Sequence, residues 1–433
     1  MRPPPARLLQ ELIRFDTTNP PGGEGPCVRH VAALFESRGV DTQILESAGR
    51  PSLVVRVTGR GQAPPLLLQG HLDVVTVAGQ RWSRPPFAGD EVDGWVWGRG
   101  ALDMKGGVAM MVSALLQELD EGTPPAGDVV LCCLADEETG GVHGAGFLVD
   151  RHPGLFAGIR HALGEGGGAS HQLEGRVFYP IMVAEKRICR VRLTLRGPGG
   201  HASRVHRGGT MAALARVLAT LDRTLLPVHV TPVTAAYLRA VAAALGGRHR
   251  EPVLALLEPG RAEAALEAMG PDAGRFDPIL RHTVNATVVR AGEKINVIPA
   301  EAVIDVDGRM LPGFEPDELL RELRQVLGDG VEIEILTAGP RLRQAEMGLF
   351  FDLLGGVVRE LDPEGIPVPH LMTGATDQRH FARLGIQGYG YLPLRLPPDF
   401  GQETVHAADE RVPSAALDFG TEAFHRVLTR YRG

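Results

Sequence analysis

The chain has 433 residues, 44% of them hydrophobic and 22% charged, which is enough apolar material for two or three domains at ~150 residues each. Its 45 Lys and Arg against 52 Asp and Glu leave a net charge of −7, which disfavours a nucleic acid partner, because phosphate neutralisation needs clustered basic excess. No run approaches the ~18 apolar residues of a membrane helix, and no apolar leader with a small-residue cleavage site is evident, so a cytoplasmic protein with no membrane partner is expected.

In chain order, apolar positions at helical spacing predict helices over 7–14 and 28–38. Short apolar runs at Leu53–Val57, Leu66–Gln69, Val129–Leu134 and His161–Leu163 predict buried strands, with helical patterns at Gly107–Leu119 and Gly144–Arg151 between them. Such alternation predicts an α/β sheet covered on both faces. The texture changes after about residue 184. Arg187–Arg196 alternates apolar and polar, as a one-sided antiparallel strand does. A helix near 209–224, strands near 283–290 and 300–310, a helix near 315–327 and a strand at 331–336 complete a β-α-β-β-α-β order, which is that of a ferredoxin-like α+β domain. An Ala- and Leu-rich stretch at 227–280 is extra to that order and reads as helical. From about 341 the chain reads as α/β again, with helices at 346–360 and 414–430. The four cysteines, Cys27, Cys132, Cys133 and Cys189, have neither zinc-ribbon nor redox spacing and are expected as buried thiols.

The candidate site residues stand at the ends of the predicted strands, where open α/β sheets place their sites. His71 and Asp73, in Gly70-His71-Leu72-Asp73, point the same way if the strand continues, so the carboxylate can take the second imidazole N–H. Gly98-Arg99-Gly100-Ala101-Leu102-Asp103 is a glycine-rich turn without the Gly-Lys-Ser/Thr ending of a phosphate loop. Asp136-Glu137-Glu138 follows one apolar strand and Gly164-Glu165-Gly166-Gly167-Gly168 another. Taken singly, His71–Asp73 reads more readily as a structural pair and the Asp103 and Asp136–Glu138 segments as turns, while Glu165 reads equally as a loop acid or a ligand. Acids and imidazoles at four successive strand ends converge on one crevice, and such donors suit zinc or a similar divalent ion.

In this order the motifs resemble the dinuclear zinc hydrolases that include glutamate carboxypeptidase, succinyl-diaminopimelate desuccinylase, acetylornithine deacetylase, aminoacylase and carboxypeptidase S. The resemblance runs from about residue 7 to 428, and the glycine run after Glu165 and the 227–280 segment look most like the carboxypeptidase S and N-acyl-amino-acid hydrolase branch. It implies a zinc-exopeptidase-like three-layer α/β catalytic domain in two parts, 1–184 and 340–433, with a ferredoxin-like dimerisation (lid) domain inserted at 185–339. It further implies two zinc ions per subunit, for which cobalt or manganese can substitute. His71 and Glu165 match ligands of one ion, Glu138 and His406 (in Glu403-Thr404-Val405-His406) match ligands of the other, and Asp103 matches the carboxylate that bridges both and precedes a cis peptide bond. Asp73 matches the carboxylate that supports His71, and Glu137 the general base.

In the inserted domain His201, in Gly197-Pro198-Gly199-Gly200-His201-Ala202-Ser203, matches a histidine that reaches the partner subunit's site and stabilises the oxyanion. Asn285 and Arg309 match substrate-contacting positions, and Gly374 and Thr376, in Gly374-Ala375-Thr376-Asp377, a loop near the substrate. Arg309 has the fork for a substrate carboxylate, with a surface salt bridge as its alternative. The expected activity is hydrolysis of an amide in N-acyl amino acids or dipeptide-like substrates with a free carboxylate, by a homodimer. A true carboxypeptidase or dipeptidase has the same chemistry. A non-catalytic metal-binding scaffold has no need of Glu137, and a dinuclear phosphoesterase lacks its cationic clamp here.

Overall fold

A computed structural model describes residues 3–342, 346–400 and 404–433. The chain forms two compact units, Met1–Ala184 with Ala345–His370 and Thr376–Gly433, and Glu185–Gln344 with Leu371–Ala375.

The first unit is built on a nine-stranded mixed sheet. Its order is Thr42–Ser47, Arg50–Val57, Val129–Leu134, Leu66–His71, His161–Gly164, Gln387–Gly390, Arg176–Glu185 and Gly365–Met372, with His171–Leu173 pairing beside Arg176–Glu185. Every residue of Leu66–His71 and Val129–Leu134 is buried, as a parallel pair covered on both faces requires. On one face Leu67, Val130, Cys132 and Leu134 pack with Ala145, Leu148, Phe156 and Phe381. On the other, helices Pro5–Ile13, Lys105–Glu121 and Ser414–Arg430 pack on one another. The observed fold is the three-layer α/β arrangement. All four cysteines are buried free thiols. Among the described residues no helix is long and apolar enough to cross a membrane.

Register decides what this sheet delivers. Leu66–His71 pairs in parallel with Val129–Leu134, matching His71 to Leu134, and with His161–Gly164, matching Leu68 to Leu163. Three neighbouring strands thus end at one edge, where the chain continues into His71-Leu72-Asp73, Asp136-Glu137-Glu138 and Glu165. The turn holding Asp103 reaches the same edge because helix Lys105–Glu121 begins close against it. A Cβ on Gly106 would stand 2.2 Å from the Ala101 carbonyl oxygen, so a side chain there would push the two apart.

The second unit has a four-stranded antiparallel sheet in the order Thr283–Ala291, Glu301–Met310, Arg187–Arg196 and Glu332–Ala338. Helices Thr210–Arg223 and Pro316–Leu327 cover one face, over a core that includes Val191, Leu193, Leu195, Leu214, Ile304, Val306, Leu319 and Leu323. The second helix starts on a capping box made by Glu315 and Glu318. The 227–280 stretch is helical, as its composition predicts, with helices Pro232–Leu245, Gly247–Ala255 and Pro259–Met269. Buried Arg281 ties it down, donating to the Leu226 carbonyl at 2.6 Å, to Glu263 at 2.9 Å and to Asp277 at 2.7 Å.

Candidate metal centre

Asp103 stands between two histidines. Its Oδ1 lies 3.0 Å from His71 Nε2 and its Oδ2 lies 3.1 Å from His406 Nε2. Glu165 Oε2 is 3.5 Å from the same His71 nitrogen, and Glu138 Oε2 is 3.3 Å from the same His406 nitrogen. Two donor trios result, His71–Asp103–Glu165 and Asp103–Glu138–His406, each compact enough to hold one ion, with Asp103 common to both. The Asp103–Met104 peptide bond is cis. Glu403 lies outside the described residues.

The charges fit a divalent pair. Three carboxylates and two imidazoles give oxygen and nitrogen donors of the type zinc takes, and the three negative charges offset most of the charge of two divalent ions. Glu138 Oε1 is buried with no hydrogen-bond partner, as expected of an oxygen reserved for an ion. Burial opposes it, yet Glu165 and Asp103 push the His71 imidazole well above its usual range. Asp103, and then Glu138, push His406 up to about 10. Asp103 is held well below the carboxylate range by His406 and His71, against its burial.

The tautomer of His71 suits a ligand. Its Nδ1 lies 2.9 Å from the backbone carbonyl of Asp73 and donates to it, leaving Nε2 to face Asp103 and Glu165. The expected bond to the Asp73 carboxylate is not the one formed: Oδ1 is 3.7 Å from Nδ1. The strand ends at His71, so the two-residue alternation does not carry on to Asp73. The buried Asp73 carboxylate instead accepts the backbone N–H groups of Glu137 and Glu138, both at 3.1 Å, and the Asn19 amide at 2.8 Å. Arg50 braces this turn from behind, pairing with Glu24 and donating to Asn19 and Asp136.

Glu137 belongs to neither trio. Burial and the Glu165 charge push its carboxyl well above the usual range. Arg379 Nη1 approaches Glu137 Oε1 to 3.8 Å while its guanidinium donates to the Thr376 and Gly140 carbonyls. Gly141 must be glycine here: at φ 66° a Cβ would stand 2.1 Å from Asp377 Oδ1.

The remaining expected residues have other surroundings. Thr376 is buried, and its hydroxyl accepts the Gln378 N–H at 3.2 Å, so it caps its own turn. Gly374 is half-buried in the second unit's Leu371–Ala375 segment. His201, Asn285 and Arg309 also belong to the second unit. His201 and Asn285 are exposed, and Arg309 forks onto Asp307 through Nε at 2.6 Å and Nη2 at 3.3 Å, the salt bridge that was its alternative. That unit has a third donor cluster, His229–His282–Glu322. There His282 Nδ1 accepts the Leu311 N–H at 3.0 Å, so Nε2 carries the ring proton and is not a ligand atom.

Asn19 and Arg50, which hold Asp73 and its turn, have no expectation behind them, and neither do four further residues. Glu410, Arg99 and Gln80 contact the loops of Asp103 and His406, and Arg379 contacts the turn of Glu137. The one sequence signal is an acid four residues after His406.

Among curated proteins, the succinyl-diaminopimelate desuccinylase of Paracoccus denitrificans is 27% identical over 99% of this chain and 98% of its own length. The human N-fatty-acyl-amino acid synthase/hydrolase PM20D1 is 28% identical over 82% of this chain and 71% of its own. Among solved structures, the M20 family metallo-carboxypeptidase Sso-CP2 of Sulfolobus solfataricus shares the fold at a TM-score of 0.70 with 19% identity, covering 98% of both chains. The profile of peptidase family M20/M25/M40 matches residues 67–430, from the strand that ends in His71 to the last helix. With that span matched, the chain belongs to peptidase family M20/M25/M40 and is a metallohydrolase.

Proposed function

We propose that the chain hydrolyses an amide bond in N-acyl amino acids or dipeptide-like substrates with a free carboxylate, using two zinc ions. The observation that carries this reading is Asp103, each of whose carboxylate oxygens faces a different histidine. On this reading His71 and Glu165 hold one ion, Glu138 and His406 the other, and Asp103 both. Bound ions supply Lewis acidity, which polarises a carbonyl and activates water near neutral pH.

The chain's own groups do the rest. Glu137, outside both trios and set behind its turn by Asp73, takes a proton from the attacking water as the new C–O bond forms. As the C–N bond breaks, it delivers that proton to the leaving nitrogen. Substrate orientation is assigned to the second unit, read as the dimerisation (lid) domain. Asp307 aligns the Arg309 fork, which is assigned to the substrate carboxylate, with Asn285 opposite Asp307 in register. His201 Nδ1 accepts the Ser203 N–H at 3.2 Å, so its proton sits on Nε2, as an oxyanion donor needs.

A homodimer is part of the reading. Thr283–Ala291 is an edge strand with Val288 and Val289 exposed, beside exposed Ile295, and a second copy of the chain would cover it. The test is amine release from a panel of N-acyl amino acids and dipeptides by zinc-loaded protein, with metal content measured. Hydrolysis of N-acyl amino acids or dipeptides supports the reading, and the ranking of the two separates an acylase from a peptidase. Silence across the panel with two ions bound overturns it.

A further inference from the structure

Glu410 joins the loops that carry Asp103 and His406. Its carboxylate is 0% exposed and accepts four donors. Oε1 takes the N–H groups of Leu102 at 2.8 Å and Asp103 at 3.1 Å, and Oε2 takes the Gly100 N–H at 3.0 Å and Arg99 Nη1 at 2.7 Å. Its own carbonyl accepts the Gly98 N–H at 2.9 Å, so the whole 98–103 turn is built on this residue. A dry carboxylate with every donor placed cannot turn without orphaning an N–H.

Arg99 carries the link onward. Its Nη2 donates to Gln80 Oε1 at 2.7 Å, and Gln80 Nε2 donates to the His406 carbonyl at 2.8 Å. The guanidinium is buried against Trp82, 5.1 Å from the ring centroid, and Trp82 Nε1 also donates to Gln80 Oε1 at 3.1 Å. A continuous chain of hydrogen bonds therefore runs from the Asp103 N–H through Glu410, Arg99 and Gln80 to the backbone of His406.

Glu410 bears on both trios through Asp103, which they share, but the His406 trio alone has a second tie to the network, through Gln80. His71 and Glu165 stand at ends of sheet strands, and the Glu138 N–H is fixed by Asp73. His406 lies in a loop with its side chain 52% exposed, and Gln80 holds its carbonyl.

We propose, resting on the two-ion reading above, that Glu410 with Arg99 and Gln80 is a positioning network for the Asp103–Glu138–His406 ion. The network touches neither ion nor substrate, yet it sets that ion's affinity.

The test titrates zinc into the metal-free full chain by calorimetry, for wild type, Glu410→Gln and Gln80→Ala. Glu410→Gln keeps the side-chain shape but turns one acceptor into a donor facing other donors. One of two zinc equivalents weakens by about 10–100-fold in Glu410→Gln and in the same direction in Gln80→Ala, the usual range for groups that orient a metal ligand. In Gln80→Ala, which loses the tie to the His406 carbonyl, the other equivalent and the metal-free melting temperature stay at wild-type values. Wild-type isotherms for both variants overturn the proposal. So does equal weakening of both equivalents in Gln80→Ala with a lower metal-free melting temperature, which marks a merely structural role. If Glu410→Gln does not fold, the Gln80→Ala isotherm decides alone. Uptake of fewer than two equivalents by the wild type overturns the two-ion reading itself, and it is recognised because it appears without any substitution.

Discussion

The carboxylate of Asp73 stands 3.7 Å from His71 Nδ1, while its backbone carbonyl stands 2.9 Å from the same nitrogen. The side chain is thus free to hold the Glu137–Glu138 turn through two N–H groups. This separates two tasks that a direct carboxylate–imidazole bond would combine. Asp73→Asn places an NH2 against a backbone N–H and disturbs the turn, but leaves the His71 tautomer to the carbonyl. Turnover is expected to fall about 10–100-fold while the ion of the His71–Asp103–Glu165 trio is kept. Paired measurement of kcat and bound zinc checks this, and loss of both zinc equivalents would return the carboxylate to the imidazole.

Glu137 and Asp103 separate chemistry from metal binding. Glu137 lies outside both trios, so Glu137→Ala is expected to keep its zinc and lose about 10²–10⁴-fold in turnover, the range for a lost acid–base group. Asp103 belongs to both trios, so Asp103→Ala is expected to lose zinc as well as activity. Metal analysis of the two purified variants decides. Activity retained in the first misplaces the base, and full zinc in the second removes the bridge.

Acid sensitivity of the second unit is expected to centre on Asp305. Arg192 binds its carboxylate at 2.7 and 3.1 Å and Arg290 adds a contact at 2.7 Å, and these bonds, Arg192 first, hold its pKa down to about 2. A folded pKa below the unfolded one means that the unfolded chain binds more protons as pH falls. The stabilisation is therefore complete above the ordinary value of 3.8 and is lost as pH falls through about 2. In urea titrations, the midpoint gap between wild type and Asp305→Asn should stay constant from neutral pH to about 4 and narrow below it. A gap that widens on acidification refutes the assignment.

What the sequence makes legible follows the physics of each residue. His71, Glu137, Glu138 and Glu165 are readable because a buried parallel strand is a short apolar run, and an acid or imidazole just after it stands at the sheet's carboxyl edge. His406 sits in a loop with no periodicity, so only resemblance to known hydrolases points to it. Gln80, Arg99 and Glu410 leave almost no local signal, because their partners are backbone and side-chain groups up to 326 positions away. Thr42–Ser47 is unreadable for another reason. It pairs on one side only, with Arg50–Val57, and its half-exposed residues form no apolar run. The Asp73 contact misleads because the two-residue alternation holds only while the strand lasts.

The shared-site reading of His201 makes a prediction that a monomer cannot meet. His201 lies in the second unit, and its Nε2 proton is fixed by the Ser203 N–H at Nδ1. His201→Ala alone is expected to lose about 10²–10³-fold in kcat, as for one missing oxyanion donor. If that histidine serves the partner's site, a heterodimer of His201→Ala with Glu137→Ala contains one site with every group present. Its intact base comes from the first subunit and its histidine from the second. Purified through two different tags, it should turn over at roughly half the wild-type rate, since one of two symmetric sites is whole. If each site used its own subunit's histidine, both sites of the heterodimer would be defective and activity would stay at the level of the single variants.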